Sequence, residues 1–99
     1  MAAGGTYFAL RIKGDSMTPA ICDGDIVIVR QQEDVNSGEV AIVMVNGDDA
    51  TCKRVVKQTQ GISLVANNPA YEPRFFTNKE IIETPVRVIG KVVELRRSF

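Results

Sequence analysis

Apolar and polar positions alternate along this chain in short runs, and the runs are separated by turn residues rather than by helical spacing. From Thr6 to Lys13, Phe8, Leu10 and Ile12 fall on one face. Tyr7, Ala9, Arg11 and Lys13 fall on the other, as a half-buried strand requires. Gly14 ends that run, and a short helical turn or loop is expected around Ser16 to Ile21. Asp23-Gly24 then turns the chain into a second strand from Asp25 to Arg30. After the polar stretch from Gln31 to Gly38, Glu39 to Val45, apolar from Val40 onward, reads as a strand buried on both faces. Asn46-Gly47 is a hairpin signal leading into Ala50 to Lys57, with Lys53 in mid-strand. Ile62 to Ala66 forms another strand. Pro69 and Pro73 exclude regular pairing from Asn67 to Pro73, so an irregular loop is expected there, anchored by Phe75 and Phe76. The valine-rich end, Pro85 to Arg96, reads as one long strand or as two with a kink at Gly90. The fold class is therefore mostly β with little helix, in one domain from residue 6 to residue 99. Met1 to Gly5, made mostly of small residues, reads as a linker remnant or a vector-derived scar.

Composition narrows the function without naming it. Twelve basic and twelve acidic residues cancel, so the chain lacks the broad positive field that phosphate binding needs. Its longest apolar runs fall far short of the roughly 20 residues of a membrane helix, and no signal peptide opens it. A cytoplasmic protein without membrane contact is expected. Cys22 and Cys52 are too few for a disulfide scaffold and have no histidine to complete a zinc site, so both read as reduced thiols. No cofactor motif is present.

The complete lack of histidine removes the commonest general base. Hydrolytic chemistry would have to rest on a carboxylate, a metal held by oxygens, or a lysine whose pKa burial has lowered. Two segments concentrate the relevant residues. One is Gly14-Asp15-Ser16-Met17-Thr18-Pro19-Ala20-Ile21-Cys22-Asp23-Gly24-Asp25; the other is Thr51-Cys52-Lys53-Arg54-Val55-Val56. The first resembles the nucleophile segment of LexA-type and phage repressors, read as Gly-x-Ser-Met-x-Pro, an apolar position, and Asp-Gly-Asp. The second is similar to the strand that carries their catalytic lysine. Asn68-Pro69 with Tyr71 and Pro73 resembles the loop that follows in those domains. The likeness runs from about Tyr7 to the C-terminus. It implies a compact LexA C-terminal-domain-like fold of short, strongly bent antiparallel strands, with Ser16 and Lys53 as a catalytic dyad. It also implies that the backbone N–H groups near Asp15 and Ser16 hold an oxyanion.

The dyad has a physical rationale of its own. A lysine ammonium with a pKa of about 10.4 cannot accept a serine proton, but burial can lower that value by up to about 3 to 5 units. Lys53, near Val55 and Val56, faces a valine-rich sheet where such burial is plausible. Plainer readings stand beside these. Ser16 can be a simple turn residue and Lys53 a solvated strand residue guarding an edge. Arg54 should point to the face opposite Lys53. Met17 is either core packing or one wall of a substrate cleft. Asp15, Asp23 and Asp25 more often serve local hydrogen bonds than a metal, and no metal is expected.

In the family resembled, the substrate is the protein's own linker, cut at an Ala-Gly or Cys-Gly bond some thirty residues before the serine. Ala3-Gly4 lies too close to Ser16, since Thr6 to Lys13 must pair in the sheet; the chain is expected to begin after the native site. The resemblance further implies stimulation by a RecA filament on single-stranded DNA, the SOS signal of DNA damage. DNA would be contacted only through a separate N-terminal domain. Homodimerisation is expected, with Val86, Val88, Ile89, Val92 and Val93 as candidates, because a valine-rich terminal strand would otherwise leave an adhesive edge; an internal strand is the alternative. Two other readings compete. A bacterial signal peptidase shares the Ser-Met and Lys-Arg-Val-Val elements but calls for a membrane anchor and an inserted domain. A binding module with an idle dyad, controlled by an antirepressor protein, is compatible with the same residues.

Overall fold

The structure, a computed structural model, describes residues 5–48 and 50–97. Met1 to Gly4, including Ala3-Gly4 and most of the expected linker remnant, lie outside the described residues. Seven strands and one helix follow in order: β1 (Tyr7–Arg11), β2 (Ile26–Gln31), β3 (Val40–Val45), β4 (Ala50–Gln58), β5 (Gly61–Val65), β6 (Arg74–Thr77), α1 (Asn78–Glu83) and β7 (Val86–Arg96). They form one antiparallel sheet in the order β1-β2-β7-β3-β4-β5-β6. The mostly β expectation holds, and six strands lie within a residue or two of their sequence-based positions.

Alternation decides which residues are buried. In β1, Phe8 and Leu10 are half-buried while Tyr7, Ala9 and Arg11 are exposed, as their spacing requires. In β3, Ala41, Ile42 and Val43 are all buried, because the sheet is covered on both faces. Ile42 belongs to one core with Ile12, Met17, Ile21, Val27, Val29 and Cys52. Ala41 and Val43 belong to the other, with Val35, Val55, Leu64, Phe76 and Val86. Each fully buried valine in these clusters contributes on the order of 1.5–3 kcal/mol through removal of apolar surface from water.

Two elements were not legible as such. The segment after Pro73 does not remain a loop: Arg74–Thr77 pairs with β5, and Phe76 enters the second core while Phe75 stays exposed. Thr77 then caps α1. Its hydroxyl accepts from the Glu80 N–H, and the Glu80 carboxylate accepts from the Thr77 N–H. This reciprocal pair satisfies donors that a helix start would leave unbonded.

The valine-rich end is one strand rather than two, and it is internal. β7 lies between β2 and β3, so the expected adhesive edge along its whole length is not there. Val86 is 7% exposed and packed in the second core, and it is therefore unavailable to a partner. Val88, Ile89 and Val92 are half-buried against the two cores. Only Val93 among the candidates is well exposed, at 46%. The β3 ladder stops at Lys91, so beyond it Val92 and residues 94–96 pair with β2 alone and Val93 is the extra residue at a register shift. Instead of a kink at Gly90, register shifts occur between Ile28 and Val29 and between Ile42 and Val43. Such irregularities bend a sheet. Gly90 sits between them because a Cβ there would lie 2.5 Å from both the Arg30 carbonyl oxygen and Val29 Cγ1.

The end of the chain returns to the loop that carries Ser16. Asp25, 4% exposed, receives Arg97 Nε at 2.9 Å and Nη2 at 2.7 Å on its two oxygens, and the Cys22 N–H at 2.8 Å. These donors, the guanidinium first, hold the Asp25 carboxyl down from the ordinary 3.8 to about 2.

Gly90→Ala is expected to destabilise the fold by about 1–3 kcal/mol through overpacking, read as a lower denaturant midpoint with an unchanged slope. Because the folded Asp25 pKa lies below its unfolded value, its stabilisation is complete above pH 3.8 and is lost as pH falls through about 2. Asp25→Asn should lower the Tm at pH 7, with the gap to wild type closing as the pH approaches 2; a gap independent of pH would refute the assignment.

Candidate active site

Gly14, three residues past the end of β1, has φ of +86°, a left-handed conformation that costs little only for glycine. The chain then turns sharply. Thr18 N–H donates to the Asp15 carbonyl at 3.2 Å and Ile21 N–H to the Met17 carbonyl at 3.0 Å, which makes the expected helical turn around Ser16 to Ile21. Met17 points inward, 2% exposed, and secures the turn to the first core. Ser16 is half-buried beside it.

β4 brings the lysine to this turn. Lys53 Nζ lies 3.0 Å from Ser16 Oγ, 2.8 Å from Thr51 Oγ1 and 3.3 Å from the Cys52 carbonyl oxygen. Thr51 had not been singled out in the sequence, although period-two alternation places it on the same side of β4 as Lys53. Burial lowers the Lys53 pKa from its ordinary value, and the nearby positive charge of Arg74 lowers it further. The neighbouring thiol of Cys52 acts in the opposite direction and is itself raised to about 11 by burial. Cys52 is thus an inert core thiol, and Cys22 is also free. A neutral Lys53 amine has one lone pair and two N–H bonds. The three oxygens match this: Ser16 O–H can donate to the lone pair while Thr51 Oγ1 and the Cys52 carbonyl receive the N–H donors.

Arg54 serves a different purpose. Its guanidinium donates to the Gly38 carbonyl at 2.6 Å and to Asn67 Oδ1 at 3.4 Å, away from Ser16. Asp15, Asp23 and Asp25 each engage their own donors. Tyr71 O–H donates to Asp15, Gly14 N–H to Asp23, and Arg97 with Cys22 N–H to Asp25. The contact with Asp15 raises the Tyr71 pKa, since the phenol donates to a carboxylate.

Ser16 opens onto a cavity of about 500 Å³ whose lining includes Leu10, Ile12, Met17 and Cys52, with Arg11 and Lys13 at the same place. A second depression, about 630 Å³, lies on the Lys53 side and is lined by Thr51, Tyr71, Arg74 and Phe76 among others. Met17 is therefore both core residue and cavity lining. Among the described residues, neither the Asp15 nor the Ser16 N–H donates to a protein acceptor. No described helix is long and apolar enough to cross a membrane.

The family model described as peptidase S24-like matches residues 1–93. The LexA repressor of Ruegeria sp. (strain TM1040) is 37% identical over 100 aligned residues, which cover all of this chain. The chain spans 39% of that repressor's length. A family match over residues 1–93, together with 37% identity along the whole chain, means that this chain belongs to the peptidase S24-like family.

Proposed function

We propose that this chain is the self-cleaving and dimerising domain of a LexA-type or phage-type transcriptional repressor, a serine–lysine endopeptidase acting on the linker of its own longer protein. The observation that carries the reading is the 3.0 Å contact between Lys53 Nζ and Ser16 Oγ in a site that disfavours the ammonium. In the proposed reaction neutral Lys53 takes the Ser16 proton as Oγ attacks the scissile carbonyl carbon. The oxyanion so formed is held by the Asp15 and Ser16 N–H groups, donors whose alignment is worth a few kcal/mol. Lys53 then passes its proton to the departing amine as the peptide bond breaks, which leaves an acyl group on Ser16. Water attacks this ester with Lys53 again as base, releasing the acid and restoring the serine. Thr51 keeps the amine pointed at Ser16 throughout, and Met17 lines the cleft that receives the linker.

The native bond would be an Ala-Gly or Cys-Gly peptide in the remainder of the longer protein, which would also bear the DNA-binding domain. A RecA filament on single-stranded DNA would promote cleavage. Homodimerisation is supported by residues 92–96 of β7, which extend past β3 with one edge unpaired among the described residues and carry Val93 and Leu95 exposed at 46% and 39%. A second copy could pair along that edge. Val93 is then the candidate best placed for the contact.

Incubated at rising pH, the longer protein should cleave faster and level off, with a midpoint below 10.5 because the Lys53 pKa is lowered. Ser16→Ala and Lys53→Ala should be inert. If wild type stays intact and also leaves its linker peptide uncut, the peptidase reading fails and a binding module controlled by an antirepressor remains. For the dimer, Val93→Lys should shift sedimentation from dimer towards monomer; a wild-type monomer at tens of micromolar would refute the interface.

A further inference from the structure

Three successive carbonyls of the nucleophile turn are held from one side. The Asp15 carbonyl accepts from Thr18 N–H at 3.2 Å, Thr18 O–H at 2.8 Å and Asn68 Nδ2 at 3.1 Å. The Ser16 carbonyl accepts from the Asn68 N–H at 2.9 Å, and the Met17 carbonyl accepts from Asn67 Nδ2 at 3.4 Å. Asn68 Nδ2 also reaches Thr18 Oγ1 at 3.3 Å, while its Oδ1 accepts from the Ala70 N–H at 2.9 Å. Asn68 therefore holds two adjacent peptide units with separate donors, and its own side chain is fixed by the loop behind it.

The geometry of a trans peptide converts this grip into a direction. The C=O of Asp15 and the N–H of Ser16 belong to one planar unit and point opposite ways. Fixing the carbonyl towards Asn68 turns the Ser16 N–H away from it. That N–H has no protein acceptor among the described residues, although an amide left free in a packed turn is costly unless water or a ligand takes it up. The same reasoning applies to the Ser16 carbonyl and the Met17 N–H.

We infer that Asn68 is a positioning residue for the serine chemistry: by holding the Asp15 and Ser16 carbonyls, it aims the Ser16 N–H at the developing oxyanion. It touches neither Lys53 nor the reacting atoms, so it should affect stabilisation of the tetrahedral intermediate without altering the base. This role rests on the proposed peptidase activity, whereas the immobilisation of the turn does not.

Two readouts on Asn68→Ala and Asn68→Asp test it; the aspartate keeps the size and the acceptor for Ala70 N–H but removes the donor to Asp15. The first is the ¹⁵N order parameter of the Ser16 amide, whose peptide unit the Asn68 side chain holds, expected to be about 0.85 in wild type and to fall towards about 0.6 in both variants. The second is hydrolysis of a peptide with the linker sequence: kcat should fall about tenfold or more with KM and the pH midpoint unchanged. Inhibition by a peptide aldehyde, which forms a tetrahedral adduct on Ser16, should weaken by the same factor. Unchanged order parameters in both variants would overturn the inference, as would a fall in order with kcat intact. If wild type does not cut the peptide while the Ser16 amide still loosens in the variants, the peptidase reading fails and the positioning of the turn by Asn68 stands.

Discussion

A lysine placed against a serine can serve as its base only where the charged amine is disfavoured, and most of this structure is consistent with that single requirement. A strand position half-covered by other elements desolvates the amine, yet its polar end must still be satisfied or the site would lose its geometry. β4 meets both conditions. It lies inside the sheet between β3 and β5, with Lys53 half-buried, and Thr51 and the Cys52 carbonyl give the nitrogen two acceptors. Ser16 supplies the remaining partner from a turn far away in sequence.

That long-range meeting depends on a serine-bearing turn that is heavily supported. Met17 fixes it to the first core, Gly14 gives the sharp reversal, and Asp25 with Arg97 ties its far end to the last strand. The loop after β5 closes over it from the other side through Asn67, Asn68 and Tyr71. A serine displaced by an ångström would lose its contact with Lys53, and positional errors of that size reduce rates by large factors. The support also links the site to β7, whose outer half is the edge proposed to meet a second copy.

Much of this was legible in the sequence because it follows from local rules. Period-two alternation located β1, turn signals and apolar runs located β2 to β5, and valine content located β7, while the absence of histidine pointed towards lysine and the Gly-x-Ser-Met-x-Pro and Lys-Arg-Val-Val segments drew attention to Ser16 and Lys53. What was not legible depends on which strands become neighbours. β7 reads as an edge or as an interior strand with equal ease, since valine suits either, and only its place between β2 and β3 settles Val86 as core. β6 was obscured by Pro69 and Pro73, which excluded pairing just before it, while the Thr77 and Glu80 capping pair would have revealed α1. Asn68 was legible only as part of a family-like loop and not as a support of the serine turn, because its grip on residues 15 and 16 spans some fifty positions of chain.

The central claim concerns the charge on one nitrogen, and NMR can observe that charge directly. With ¹³C/¹⁵N-labelled lysine, the Cε and Nζ shifts of Lys53, assigned by comparison with Lys53→Arg, should titrate with a midpoint clearly below 10.5. A midpoint at or above 10.5 would mean that Lys53 remains an ammonium beside Ser16, and would contradict its role as the base.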